Sequence, residues 1–253
     1  MALSSTVQEL RAQVRAIEAP EPRAGAVTLA GGQGTSEGEM PDLALGCLHE
    51  VTGDPGDLCA ATGFTAGLVA RLFQHTGAGA PVLWCGRTLT SHEHGGLYAP
   101  GLDEFGLGPE RLLVVRARTD TQVLWAMEEG LRCRALSAVV GELDDPGFTP
   151  SRRLQLAAEA NGVTAVLLRT RSAAAIGAVT RWHVTSAPTK RDSMNIPRWQ
   201  VQLERHRGGD LGRWNVEWRD ETGDFSVAAS VRDGPADKRV AQRHQSQPKQ
   251  MAS

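Results

Sequence analysis

The chain has 253 residues and a mass of 27.1 kDa, enough for one large domain or two small ones. Lys and Arg total 27 against 29 Asp and Glu, a formal net charge of −2. That balance excludes a generic nucleic-acid coat protein and leaves room only for a local basic patch. Hydrophobic residues are 41% and charged residues 22%, so a core can form without disulfide staples. The charge is unevenly divided. Residues 1–170 hold 13 basic and 20 acidic side chains, residues 171–253 hold 14 and 9. Any polyanion contact therefore belongs in the last third.

No run of about 18 apolar residues occurs, so no membrane span is expected. The first residues lack a basic segment followed by an apolar one, so no secretory leader is expected and the cytoplasm is the expected compartment. Cys47, Cys59, Cys85 and Cys133 never reach CxxC spacing and read as free thiols in a reducing compartment. His92-x-His94 without a nearby cysteine reads as a polar loop tip, and no metal site is expected.

In chain order, Val7, Leu10, Val14 and Ile17 recur at helical spacing, which predicts an amphipathic helix within residues 1–20. Its narrow stripe must be buried, either on its own core or on a partner subunit. Residues 21–41 are rich in Gly and Pro and read as a flexible linker. From residue 42 to about 230 a single core is expected. It opens with a strand at 48–52, then a Gly-rich segment from Gly53 to Gly67 and a helix to about Gln74. Further strands are predicted at 81–85, 111–116, 136–140 and 163–168, with helices at 121–134 and 151–161. Thr119 or Asp120 is the expected cap of the first of these helices and Gly162 the stop of the second. Strands separated by helices predict parallel βαβ units. After Arg169 the grammar changes to period-2 strands at 179–185, 198–205, 212–218 and 224–228, read as antiparallel additions. Residues 231–253 are polar, basic and aperiodic, and read as a disordered tail. The fold class is α/β, a mostly parallel sheet flanked by helices with antiparallel strands at its C-terminal side.

A strand running into a Gly-rich loop and a helix is where a phosphate loop belongs, because backbone N–H groups and a lysine there hold phosphate. The full motif is absent, and the only lysines are Lys190, Lys238 and Lys249. After Gly53 the nearest remnant is Gly63-Phe64-Thr65, with Phe64 where lysine is needed. At the end of the fourth strand, where a Mg²⁺-holding Asp belongs, the chain reads Gly141-Glu142. Glu142 sits one residue on, which turns it to the other face unless the strand bulges. Neither ATP nor Mg²⁺ is expected as a cofactor. Catalytic residues are not expected either: Glu128-Glu129 and Asp144-Asp145 read as solvated surface, and no His stands as base to a Ser or Cys. Arg87, His92, Glu93 and His94 follow the second strand and form a weak pocket candidate.

In the basic third, Arg198, Arg205, Arg207, Arg213 and Arg219 interleave with Trp199, Trp214 and Trp218. Arginine on phosphate and tryptophan on bases would make a nucleic-acid contact. The tryptophans keep one strand parity, however, which predicts that they face the core and leave the arginines solvated.

The order of elements and several phrases resemble the RecA family. Leu45 to Gly53 resembles the strand entering its phosphate loop, and Leu97 to Leu102, Glu110 to Leu113, and Asp120-Thr121-Gln122 with Trp125 to Glu128 resemble later elements. Within that superfamily the chain resembles the ImuA family over about residues 3–230. The phrases that carry this are Leu48-His49-Glu50-Val51, Ser151 to Ala160, Thr180-Arg181-Trp182, Pro197-Arg198-Trp199 and Trp214 to Trp218. The resemblance implies a RecA-like fold with a degenerate phosphate loop. It also implies an accessory role in SOS-induced mutagenic translesion synthesis. Its partners there would be ImuB, a Y-family polymerase relative without catalytic carboxylates, and an error-prone C-family polymerase. RecA is a possible third partner, and the N-terminal helix a possible means of self-association. The alternatives are a RecA-like DNA-dependent ATPase, a RecA regulator or a RecA-like cell-division inhibitor.

Overall fold

In the computed structural model the described residues are 25–30, 40–76, 80–88, 95–169, 177–188 and 196–228. The predicted N-terminal helix, the 231–253 tail and His92, Glu93 and His94 lie outside them. The strands are β1 (Ala26–Val27), β2 (Leu43–Ala44), β3 (Leu48–Gly53), β4 (Val82–Arg87), β5 (Leu112–Ala117), β6 (Ala138–Leu143), β7 (Thr164–Arg169), β8 (Thr180–Ser186), β9 (Arg198–His206), β10 (Gly212–Arg219) and β11 (Asp224–Ala228). The helices are α1 (Leu58–Thr76), α2 (Ala99–Asp103), α3 (Asp120–Leu131) and α4 (Phe148–Asn161).

Nine strands form one sheet in the order β11-β10-β9-β8-β3-β7-β6-β4-β5. Six of them run parallel, from β8 to β5. Strands β9, β10 and β11 add antiparallel beyond β8. Strand β8 departs from the sequence expectation: it pairs parallel with β3 and antiparallel with β9, so it is the hinge between the two halves.

Helix α1 covers one face, and α3 and α4 cover the other. Strand alternation divides the core accordingly. In β6, Ala138 and Val140 face α1, while Val139 and Leu143 face α3 and α4. Thr119 caps α3, its hydroxyl accepting from the Gln122 N–H at 3.3 Å. Gly162 ends α4 in the left-handed conformation at φ 73°.

Two sequence expectations change here. Residues 25–30, assigned to the linker for their flanking Gly and Pro, pack on the core. Val27 and Leu29 are buried, β1 pairs with β2, and Ala30 bridges Phe225. The Gly53–Gly67 segment is mostly helix, since α1 starts at Leu58. Its glycines serve close packing: a Cβ on Gly67 would lie 2.5 Å from the Phe225 ring, and one on Gly63 would lie 3.2 Å from Trp199.

A buried polar chain ties β2, β3 and β8 together. The Trp182 indole N–H donates to the Thr180 hydroxyl at 2.9 Å, and that hydroxyl meets His49 Nδ1 at 2.7 Å. His49 Nε2 then donates to the Ala44 carbonyl at 2.8 Å. Because a carbonyl can only accept, Nε2 carries the proton and Nδ1 accepts. Burial pushes the imidazole down to about 4, against the opposing pull of the Ala44 hydrogen bond. The unfolded chain therefore binds the extra proton first. This contribution to stability is complete above pH 6.5 and is lost as pH falls from 6.5 to about 4. Wild type should lose about 2 kcal/mol more between pH 7 and pH 5 than His49→Leu does, measured by urea unfolding. Equal pH dependence in both proteins would contradict this.

Candidate functional site

Strand β3 ends at Gly53, and only residues 54–57 separate it from α1. Gly56 takes φ 92°, a left-handed turn that favours glycine. Asp57 binds the end of β8, its carboxylate accepting from the Ser186 N–H and hydroxyl at 2.6 Å each. The loop is short, and its side chains Asp54 and Asp57 are acidic. Gly63, Phe64 and Thr65 do not belong to it. They sit in the second turn of α1, where backbone N–H groups are consumed by the helix ladder. The Thr65 hydroxyl donates back to the Ala61 carbonyl at 2.8 Å. Phe64 is fully buried, its ring centroid 5.0 Å from Phe225, 5.9 Å from Trp182 and 6.1 Å from Trp199.

At the end of β6 the register with β4 and β7 is unbroken, so no bulge is present. Alternation alone turns Glu142 toward α1. Gly141 faces α3 instead, where a Cβ would collide with Met127. Of the two, Glu142 therefore occupies the crevice position. The Trp84 indole N–H donates to its Oε1 at 2.6 Å. Burial raises the Glu142 carboxyl, against the lowering effects of Trp84 and Arg116. Glu142 lines a cleft of about 200 Å³ with Cys59, Thr62, Gly63, Leu97 and Tyr98. The cleft lies beyond the carboxyl ends of the parallel strands, where open α/β sheets bind ligands. Among the described residues its lining carries one acid and no basic side chain.

The acidic pairs are not free surface. Arg87 binds Asp120 at 3.2 Å and Asp144 at 2.9 Å, which ties β4 to the starts of α3 and of the loop after β6. Glu128 binds Arg153 at 2.7 Å, and Glu129 binds Arg132. Asp145 binds Arg169 at 3.1 Å. Arg169 and Glu50, which sequence reading passed over, are the centre of a buried network. Both are about 1% exposed or less and form an ion pair. The Arg169 Nε also donates to the Asp144 carbonyl at 3.2 Å, and Arg181 donates to the second Glu50 oxygen at 2.6 Å. The available signal was an acid and an arginine inside otherwise apolar strands.

The antiparallel strands sort the tryptophans from the arginines. Trp199, Trp214 and Trp218 are buried on the α1 side. They are unavailable for base stacking, as their parity predicted. Arg198 and Arg213 face the other way. Arg198 binds Glu217 at 2.6 Å, Arg213 binds Gln202 at 2.6 Å and Arg219 binds Ser226 at 2.7 Å. Strand β9 bulges at Glu204: Trp182 pairs with Leu203 but Arg181 pairs with Arg205. The extra residue flips the parity and brings Arg205 to the face of Arg181. Arg207 follows the strand and lies close enough to Cys47 to lower its thiol, although burial raises that thiol overall.

All four cysteines are free, Cys47 and Cys85 buried and Cys59 and Cys133 exposed. Burial pushes the Cys85 thiol up to about 12, with Glu142 adding to the shift. Among the described residues no three metal-ligating side chains cluster, and no helix is long and apolar enough to cross a membrane.

Fold and site together define an α/β protein with a mixed, mostly parallel sheet, whose crevice at the strand ends holds a buried carboxyl. No family model matches the sequence. Protein ImuA of Caulobacter vibrioides, in strains NA1000 / CB15N and ATCC 19089 / CIP 103742 / CB 15, is 33% identical over 193 residues, which is 69% of this chain and 76% of the relative. The chain belongs to the ImuA family.

Proposed function

We propose that the protein is a non-catalytic accessory factor in SOS-induced mutagenic translesion DNA synthesis. In this reading it works beside an ImuB-like polymerase relative and an error-prone C-family polymerase at the nucleoid, and needs neither ATP nor Mg²⁺. Membership of the ImuA family supports the SOS role. The observation that carries the non-catalytic part is Phe64. It belongs to the Gly63-Phe64-Thr65 remnant, and its side chain is sealed in the core inside α1, outside the short loop between β3 and α1. A buried acid at Glu142 and an acidic loop at Asp54 and Asp57 add an unfavourable field for phosphate.

The test is a pull-down of the full chain with the ImuB-like protein, RecA and the C-family polymerase, with and without ATP. Nucleotide-independent capture of the ImuB-like protein is expected. Capture that requires ATP would favour a RecA-like ATPase. Deleting residues 1–20, which removes Val7, Leu10, Val14 and Ile17, should weaken capture at least tenfold if that stripe docks on the partner. Undiminished capture by the folded truncation would remove the helix from the interface.

A further inference from the structure

We propose that the face of β8, β9 and β10 opposite α1 binds the phosphate backbone of single-stranded nucleic acid, in particular DNA. The argument starts from the sheet. Antiparallel strands with one buried face present every second side chain on the other. Here that face carries Arg198, Arg205, Arg213 and Arg219, with Gln200, Gln202, Asn215 and Ser226 between them and the carboxylates Glu217 and Asp224 beside them. The bulge at Glu204 is what adds Arg205, opposite Arg181. On this face Arg198 is paired with Glu217 and Arg181 with Glu50. Arg213 contacts the neutral Gln202, and Arg219 contacts the Ser226 hydroxyl while standing across from Asp224 in the strand register; both arginines are exposed. They stand six residues apart on β10, roughly 20 Å.

Guanidinium groups among amide and hydroxyl side chains match a row of phosphates, which arginine can engage with two N–H groups at once. With the tryptophans buried, the described residues of the face offer no aromatic platform, so binding is through the backbone and insensitive to base identity. It is also independent of the partner reading above, since it needs only the face.

The experiment is fluorescence anisotropy of the full chain with a labelled 20-nucleotide thymine oligomer, over a series of salt concentrations. Engagement of two phosphates, by Arg213 and Arg219, predicts a slope of about −1.4 for log affinity against log salt. Arg213→Glu with Arg219→Glu should weaken binding at least tenfold and flatten that slope. Arg132→Glu, at the exposed cap that follows α3, should leave both unchanged. An equally tight adenine oligomer is expected. Duplex and RNA arms identify the form preferred. The proposal is overturned if wild type fails to bind at low salt, or if the double variant binds like Arg132→Glu. It is also overturned if deleting residues 231–253 abolishes binding while the double variant retains it, or if polyglutamate is held as tightly as the oligomer. Each of these outcomes leaves the pull-down result intact.

Discussion

Replacing Phe64 by lysine should unfold the protein rather than restore a phosphate site. Phe64 is fully buried against Trp182, Trp199 and Phe225. Losing a buried phenylalanine costs about 3–5 kcal/mol through lost transfer and the cavity left behind. An ammonium in the same place adds a desolvation cost of several kcal/mol or must neutralise. Domains of this kind are stable by roughly 5–15 kcal/mol, so the sum consumes most or all of it. Phe64→Leu keeps apolar character, should cost about 1–3 kcal/mol, and should remain folded. Urea unfolding measures both. The accompanying test is thermal: Phe64→Lys should gain no stabilisation from ATP with Mg²⁺. A folded lysine variant whose melting temperature rises with ATP would show that a phosphate cradle exists and that the aromatic side chain alone had closed it.

Arg169→Met should be nearly as damaging, for a different reason. Arg169 is buried and contacts the Glu50 carboxylate, the Asp144 carbonyl and the Asp145 carboxylate. Removing one partner of a buried ion pair leaves the other charge in a low-dielectric interior, at a cost of about 3–5 kcal/mol. Arg181 remains beside Glu50 and limits the loss, which puts the expected value toward the lower end. Adding Glu50→Gln to Arg169→Met should recover part of it, because the stranded charge disappears with its partner. The cycle of single and double variants reads that coupling directly. Additive costs would mean that the pair contributes packing alone.

Some of this was legible in the chain. The alternation of Trp199, Val201 and Leu203, and of Trp214, Val216 and Trp218, by itself places the tryptophans on the core face, where the fold has them. The βαβ order, the caps at Thr119 and Gly162 and the change of grammar after Arg169 were likewise readable. All are local signals, carried by periods of 2 and 3.6 residues and by single terminal positions.

Glycine misled, because one residue type answers two needs. In the 53–67 segment, Gly56 serves a turn, while Gly63 and Gly67 let α1 approach Trp199 and Phe225. Only the aromatic partners distinguish them, and those lie more than 130 positions away in the chain. The same holds at β6, where which of Gly141 and Glu142 meets the crevice depended on the strand remaining regular between β4 and β7.

The sequence by itself determined the class of fold, the family likeness, the absence of a phosphate-loop lysine and the split between an acidic first part and a basic last third. Those rest on composition and short-range pattern. Tertiary structure alone decided that Phe64 is core, that Glu142 is the buried acid of the crevice and that Glu50, Arg169 and Arg181 form one network. It also decided that a bulge carries Arg205 to the arginine face. Each of these is a pairing between distant segments, and register between distant strands is set by how whole sheet and helix surfaces pack, which no local window of the chain contains.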